Sequence, residues 1–273
     1  MGTVNGIGER PGWPPRHAIV TGGTSGIGLA TAARLARLGA AVSVLAIDGL
    51  EEALRALPGR RVDAVRADVT DARAVEAAVA ALAARHGPCD LLVTAAGGAL
   101  PGLVDQLDEA AFRAQMELNY FGTLHAVLAV LPAMLARRQG RIVLVSSTLG
   151  VSGGYGYAAY SPAKFAVRGL AEALRAELRP RGILVGCAVP AATDTAGHAR
   201  EQRTKPEAVR RVEPPGRLLP PERVAAAIVD GARRGRFLIT AERRTRTLLR
   251  LASVLAPLRR RRLDRAVDRS MLR

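Results

Sequence analysis

The chain has 273 residues, 49% of them hydrophobic and only 3% aromatic, enough apolar matter for one large α/β domain or two small ones with a core of Val, Leu, Ile and Ala. Its net charge is +16, and of its 40 basic residues only Lys164 and Lys205 are lysines. There is no C-x-x-C spacing, no apolar signal region and no uninterrupted run of 18 apolar residues, so a thiol metal site, a secretory leader and a membrane span are not expected.

Residues 1–16, rich in Gly and Pro, read as a disordered leader. From His17 the chain alternates strand and helix. His17 to Thr21 is an apolar run ending in glycines, with a helix over about 27–38. Strands follow over 41–47 and 62–67, then an Ala-rich helix over about 71–86. A fourth strand covers 89–94, a long helix about 106–136, and a fifth strand 142–145. A helix over 157–178, a sixth strand over 183–189, a helix over 222–234 and a short seventh strand over 237–240 complete the series. Strands that are apolar without alternation, separated by helices, predict a parallel sheet covered on both faces. The fold expected is a Rossmann-type doubly wound α/β domain, 17–240, with a mostly seven-stranded parallel sheet and ligands at the carboxyl ends of the strands. Cys89 and Cys187 stand at apolar strand-like runs and read as reduced core thiols of a cytoplasmic protein.

Between the first strand and the first helix lies Thr21-Gly22-Gly23-Thr24-Ser25-Gly26-Ile27-Gly28. Glycines there permit a tight turn and close approach of backbone to a pyrophosphate, and the helix N-terminus supplies amide donors. The strand–loop–helix context supports a dinucleotide site. No Gly-Lys-Ser/Thr follows, so this is no Walker A loop.

Tyr160 and Lys164, four residues apart, share one face of a helix with Cβ atoms about 6 Å apart. A phenol is a poor acid or base at neutral pH, and a nearby ammonium lowers its pKa. The pair is the minimum equipment for a phenol that exchanges a proton near neutrality, although such a pair on an exposed helix is ordinarily a solvated surface contact.

The glycine loop followed by Tyr-x-x-x-Lys about 130 residues on resembles the short-chain dehydrogenase/reductase family from His17 to about Thr240. The resemblance implies a Rossmann-type fold, NAD or NADP, and a homodimer or homotetramer. It places Ser147, 13 residues before Tyr160, as the catalytic serine, with Ser146 its neighbour. Asn119 matches the asparagine that shapes the long helix and holds a relay water. Asp68-Val69 matches the adenine contact, and Pro190 to Thr195, with Thr193, matches the nicotinamide segment. Ala95, Ala96 and Gly97 stand in the cofactor-bracing segment, where Thr94-Ala95-Ala96-Gly97 replaces the family's usual Asn-Asn-Ala-Gly; loss of both amides predicts some loss of rigidity, not of chemistry. Ala46 stands where NAD-preferring members carry an acid, which leans to NADP(H); Ile47 replaces the arginine frequent in NADP-preferring members, and Asp48 weakens the lean. In ketone reduction Tyr160 would deliver the proton, Ser147 hydrogen-bond the developing alkoxide, Lys164 lower the Tyr160 pKa and hold the nicotinamide ribose, and Asn119 pass protons onward.

The segment 193–221 is expected to bind substrate. Its stretches Thr193-Asp194-Thr195-Ala196-Gly197 and Glu201-Gln202-Arg203-Thr204-Lys205-Pro206-Glu207 resemble the 3-ketodihydrosphingosine reductase branch, which implies a long-chain 3-keto sphingoid base as substrate. A steroid, a 3-oxoacyl group or another lipophilic ketone fits the same catalytic group. From Arg233 to Arg273 there are 14 Arg against Glu242, Asp264 and Asp268, so this end carries +11 of the +16. The tail 241–273 reads as basic and amphipathic: Leu248 to Leu258 is apolar but short, and Arg259 to Arg262 follow. That pattern suits an anionic membrane surface, or a helix that completes the fold or an oligomer. A nucleic-acid partner is not expected, since no recognition motif or aromatic platform accompanies the charge. A cofactor-binding regulator without catalysis would typically lack Tyr160 or Lys164. The four histidines show no metal-ligand spacing.

Overall fold

The computed structural model describes residues 13–212 and 216–271; most of the expected leader, 1–12, and residues 213–215 of the expected substrate segment lie outside them. Seven parallel strands form one sheet in the order β3-β2-β1-β4-β5-β6-β7, with β1 His17–Thr21, β2 Ala41–Ala46, β3 Val62–Arg66, β4 Leu91–Thr94, β5 Gly140–Val145, β6 Ile183–Ala188 and β7 Leu238–Ile239. The order reverses between β1 and β4, where the sheet register pairs Thr21 with Thr94. A crevice opens at the carboxyl ends of strands at such a point.

Helices cover both faces because the strands are apolar on both. On one face α1 (Gly26–Arg37), α2 (Leu50–Ala56) and α9 (Pro221–Arg234) flank the sheet, burying Leu35, Val44, Val93, Val143 and Ile228. On the other, α3 (Ala72–His86), α5 (Gly122–Arg137) and α6 (Tyr160–Leu178) bury Ile19, Leu82, Leu92, Val127, Met134, Ile142 and Leu178. Cys89 and Cys187 are buried free thiols in this second core, and burial pushes both up to about 12.

The long helix is interrupted. α4 (Glu109–Met116) starts on Asp108, whose carboxylate accepts from the Ala111 amide at 2.9 Å, and a π turn at Glu117–Phe121 joins it to α5. The whole segment Glu109–Arg137 is long and apolar enough to cross a membrane by length and composition alone, but Ala126, Val127, Val130 and Met134 of this helix sit in the protein core. α6 begins at Tyr160, three residues later than periodicity places it. α7 (Ala196–Thr204) and α8 (Glu207–Val212) were not expected; α7 buries no residue fully and α8 only Val209 and Val212, so neither has an apolar period to read.

The basic end is not detached. It folds as α10 (Arg243–Arg250) and α11 (Ala252–Met271). Leu249 is buried in the core, and α11 packs on α8.

Candidate active site

The loop after β1 leaves the sheet with Gly22 at φ +64° and Gly26 at φ +51°. Gly22 has no room for a side chain: a Cβ would lie 2.7 Å from Ala96 Cα. At Gly28 it would lie 2.1 Å from the Gly22 carbonyl oxygen. α1 opens at Ser25 with no side-chain cap and no acid in its first turn, so its leading amides keep their positive field for an anion. A dinucleotide pyrophosphate fits this bare cradle.

The loop after β4 faces it. The Ala95 amide donates to the Thr21 carbonyl at 3.1 Å, and Ala96 donates to the Thr21 hydroxyl at 3.2 Å. Thr94 is buried, and its hydroxyl has no hydrogen-bond partner among the described residues, so the missing first amide is not replaced in kind. Asn119 takes over the bracing from the π turn. It is fully buried, its Nδ2 donates to the Gly98 carbonyl at 3.0 Å and the Gln115 carbonyl at 3.1 Å, and its Oδ1 accepts from the Gly98 amide at 3.3 Å.

Ser147, at the end of β5, accepts at Oγ from the Leu149 amide at 3.1 Å and caps a 3-10 turn. The same hydroxyl faces Tyr160 and pulls its phenol's pKa down. Ser146 is separated from this work, since its Oγ donates to the Lys164 carbonyl at 2.8 Å. Lys164 lies on the stripe of α6 that buries Ala163, Val167, Ala171 and Leu174. Its Nζ donates to the Val145 carbonyl at 3.1 Å and stands 5.8 Å from the Tyr160 ring centroid.

Because Lys164 is on the core stripe, burial pulls its ammonium down from 10.5 to about 8. Tyr160 moves the other way. Burial pushes its phenol above the ordinary value, the Ser147 hydroxyl pulls it down, and the Glu201 charge pushes it up. The sequence expectation that the pair spacing lowers the Tyr160 pKa is therefore not met: desolvation of the phenolate is the largest influence, and Lys164 is not among the groups that shift it.

A cavity of about 450 Å³ joins these pieces. Gly22, Ser25, Gly26, Ile27 and Gly28 line one part of it, and Ala95, Ala96 and Gly97 another. Ser147, Tyr160 and Lys164 lie beside Pro190, Thr193 and Thr195. Of the remaining expected residues, Thr21 is a buried strand end, Thr24 lies in the glycine loop outside the lining, and Asn119 stands behind the wall. Asp68 is exposed and holds its own turn, accepting from the Thr70 amide at 2.9 Å, while Val69 is buried. Tyr155, Tyr157 and Leu263 also line the cavity and were missed by the sequence reading, while His198, Glu201, Val209 and Val212 line it from within the expected substrate segment 193–221 without having been singled out as site residues. Leu263 brings the C-terminal helix to the site. The scarcity of lysine was the one usable signal for part of this group, since Lys205 pairs with Glu201.

A Rossmann-type sheet, an uncapped glycine cradle at its switch point and a Ser–Tyr–Lys group whose lysine is buried define an NAD(P)-dependent oxidoreductase. Residues 16–206 match the family described as short chain dehydrogenase. The chain is 38% identical over 230 residues to a 3-dehydrosphinganine reductase of Danio rerio, covering 81% of this chain and 69% of that protein. It is 34% identical over 264 residues to a 3-ketodihydrosphingosine reductase of Dictyostelium discoideum, covering 89% and 78%. A solved structure of a substituted actinorhodin polyketide ketoreductase with NADPH superposes with a TM-score of 0.75 at 34% identity, over 82% of this chain and 95% of that one. The chain belongs to the short-chain dehydrogenase family.

Proposed function

We propose that this protein reduces the 3-keto group of a long-chain sphingoid base to the alcohol, using NADPH. The observation that carries the reading is the Ser147–Tyr160–Lys164 group on a cavity shared with the glycine cradle, in a chain 38% identical to a 3-dehydrosphinganine reductase. A nicotinamide cofactor held in this cavity would supply the hydride for the carbonyl carbon. Tyr160 gives its phenolic proton to the carbonyl oxygen, and its raised pKa keeps that proton in place at neutral pH. Ser147 Oγ orients the phenol and hydrogen-bonds the oxygen as negative charge develops. Lys164 holds the cofactor ribose and stabilises the phenolate left behind. Protons return by way of Lys164 and water beside Asn119, whose side chain meanwhile braces Gly98. Thr193, Thr195 and Pro190 hold the nicotinamide end; Asp68, Val69, Ala95, Ala96 and Gly97 frame the adenine and ribose side.

NADPH is favoured because Ala46 places no carboxylate against a 2′-phosphate. Arg66, exposed at the end of β3, is the register partner of Ala46; exposed Asp48 opposes it. The tail seats the protein on an anionic membrane through exposed Leu251, Val254 and Leu258 and the exposed Arg260, Arg261 and Arg262. Exposed Phe121, Leu128 and Phe165 suit a homodimer or homotetramer contact. With that tail, we infer a cytoplasmic protein that is peripheral on the membrane.

The test is NADPH and NADH oxidation against a ketone panel that includes 3-ketodihydrosphingosine. Tyr160→Phe should lower turnover by about 10²–10⁴-fold with cofactor still bound. Undiminished turnover would end this mechanism, and activity on small polar ketones alone would end the lipid reading.

A further inference from the structure

In a chain with 38 arginines and two lysines, both lysines are buried beside one cavity. Lys164 is 5% exposed and Lys205 3%. Lys205 follows α7, and its ammonium lies 3.4 Å from Glu201 Oε1 and 5.6 Å from the Tyr157 ring centroid. The Tyr157 hydroxyl donates to the same Oε1 at 2.5 Å. The Tyr157 ring stands 6.4 Å from the Tyr160 ring. Glu201 and Tyr157 both line the cavity.

Other i,i+4 ion pairs here, such as Arg55–Glu51 and Arg113–Glu109, are solvated surface contacts. Glu201–Lys205 is not, with side chains 16% and 0% exposed. Burying such a pair rarely adds stability, so its position on the cavity wall calls for a ligand-directed role. A carboxylate accepts about four hydrogen bonds over two oxygens. Tyr157 and Lys205 converge on Oε1, while Oε2 stands 3.7 Å from His198 Nδ1, longer than a hydrogen bond.

We propose that Glu201, positioned by Tyr157 and Lys205, is the specificity-determining residue that receives the ammonium group of a 2-amino ketone whose carbonyl faces Tyr160. The inference rests on the sphingoid-base reading and deepens it. Amine and carbonyl sit on adjacent carbons in such a ketone, so their two receptors must be neighbours. Tyr157 supplies that adjacency, with its ring against Tyr160 and its hydroxyl on Glu201. The Glu201 charge is felt at Tyr160, and a bound ammonium would offset it. Without Glu201 the lining among the described residues would hold no carboxylate, only Lys164, the exposed Arg200, His198 and the neutral phenols Tyr155, Tyr157 and Tyr160, with Lys205 behind, and an amine would be repelled.

The test compares kcat/KM for 3-ketodihydrosphingosine with that for 1-hydroxyoctadecan-3-one, which keeps ketone, hydroxyl and chain and lacks the amine. The wild type should favour the amine about tenfold to a hundredfold, the range for a hydrogen bond to a charged group. Glu201→Gln should bring that ratio to about one or below. Lys205→Met should keep the preference. Glu201→Gln/Lys205→Met, which removes both charges of the pair together, should lose it. A wild type that reduces both ketones equally, or a preference that survives in both Glu201 variants, overturns the assignment. Reduction of other ketones but neither of these two overturns the sphingoid-base reading itself.

Discussion

Replacing Lys164 with Met should make the protein more stable while removing its activity. The ammonium lies on the core stripe of α6, and its pKa falls from 10.5 to about 8. That drop corresponds to about 3 kcal/mol by which the fold disfavours the charge. Met has similar length and no charge. Its substitution forfeits the 3.1 Å bond to the Val145 carbonyl, worth about 1 kcal/mol, so a net gain of about 2 kcal/mol is expected at pH 7. The sign follows from proton counting. Below pH 8 both folded and unfolded chains hold the proton, and the folded state bears the full cost. Between pH 8 and 10.5 the unfolded chain holds a proton that the folded chain has released, so the wild type regains stability as pH rises. Urea denaturation of both proteins from pH 7 to 10.5 measures this, and the difference between them isolates Lys164 from Tyr160, Cys89 and Cys187, whose raised pKa values act in the opposite sense. A Met variant less stable than wild type at pH 7, or a difference that does not shrink above pH 8, would refute the reasoning.

Ketone reduction should decline above about pH 8 as Lys164 loses its proton, and a rate flat to pH 9.5 would remove Lys164 from the reaction. Gly28→Ala should abolish cofactor binding, measured by NADPH fluorescence, because its Cβ meets the Gly22 carbonyl at 2.1 Å; unchanged affinity would argue against the cradle. Asp90 is buried, where burial alone would raise its carboxyl, yet the Arg137 guanidinium at 2.7 Å and the Arg16 amide at 3.0 Å hold it below the usual range. Its contribution is present above the unfolded carboxyl value near 4 and is lost as pH falls through the lower folded one. Asp90→Asn should therefore cost about 3 kcal/mol at pH 7 and flatten the acid limb of stability, which thermal melts would register. Asn119→Ala should cost about 1–3 kcal/mol by leaving the Gly98 amide and carbonyl unpaired, read as a lower urea midpoint.

The parallel sheet was legible because buried strands such as Ala41–Ala46 and Ile183–Ala188 are apolar without alternation, and the glycine loop because only glycine tolerates the turn at Gly22. Tyr160 and Lys164 were legible as a spacing on one helix, whereas Ser147 was legible only through the family resemblance. The π turn at Glu117–Phe121 was not, because one extra residue in a helical turn leaves the apolar period almost unchanged. Helices α7 and α8 escaped because they are too short and polar to show a period.

The sequence by itself determined the strand–helix alternation, the glycine turn after β1 and the placing of Tyr160 and Lys164 on one helix face, since each depends on local backbone limits or on spacing within one element. Only the tertiary structure decided the sign of the Tyr160 shift, because desolvation depends on what surrounds the phenol rather than on what lies four residues away. It also decided that Leu263 near the C-terminus shares a cavity with Gly22 near the start, and that Glu201 and Lys205 form a buried pair beside Tyr157. Those contacts join separate elements across the carboxyl edge of the sheet, and no local pattern encodes a distance between elements.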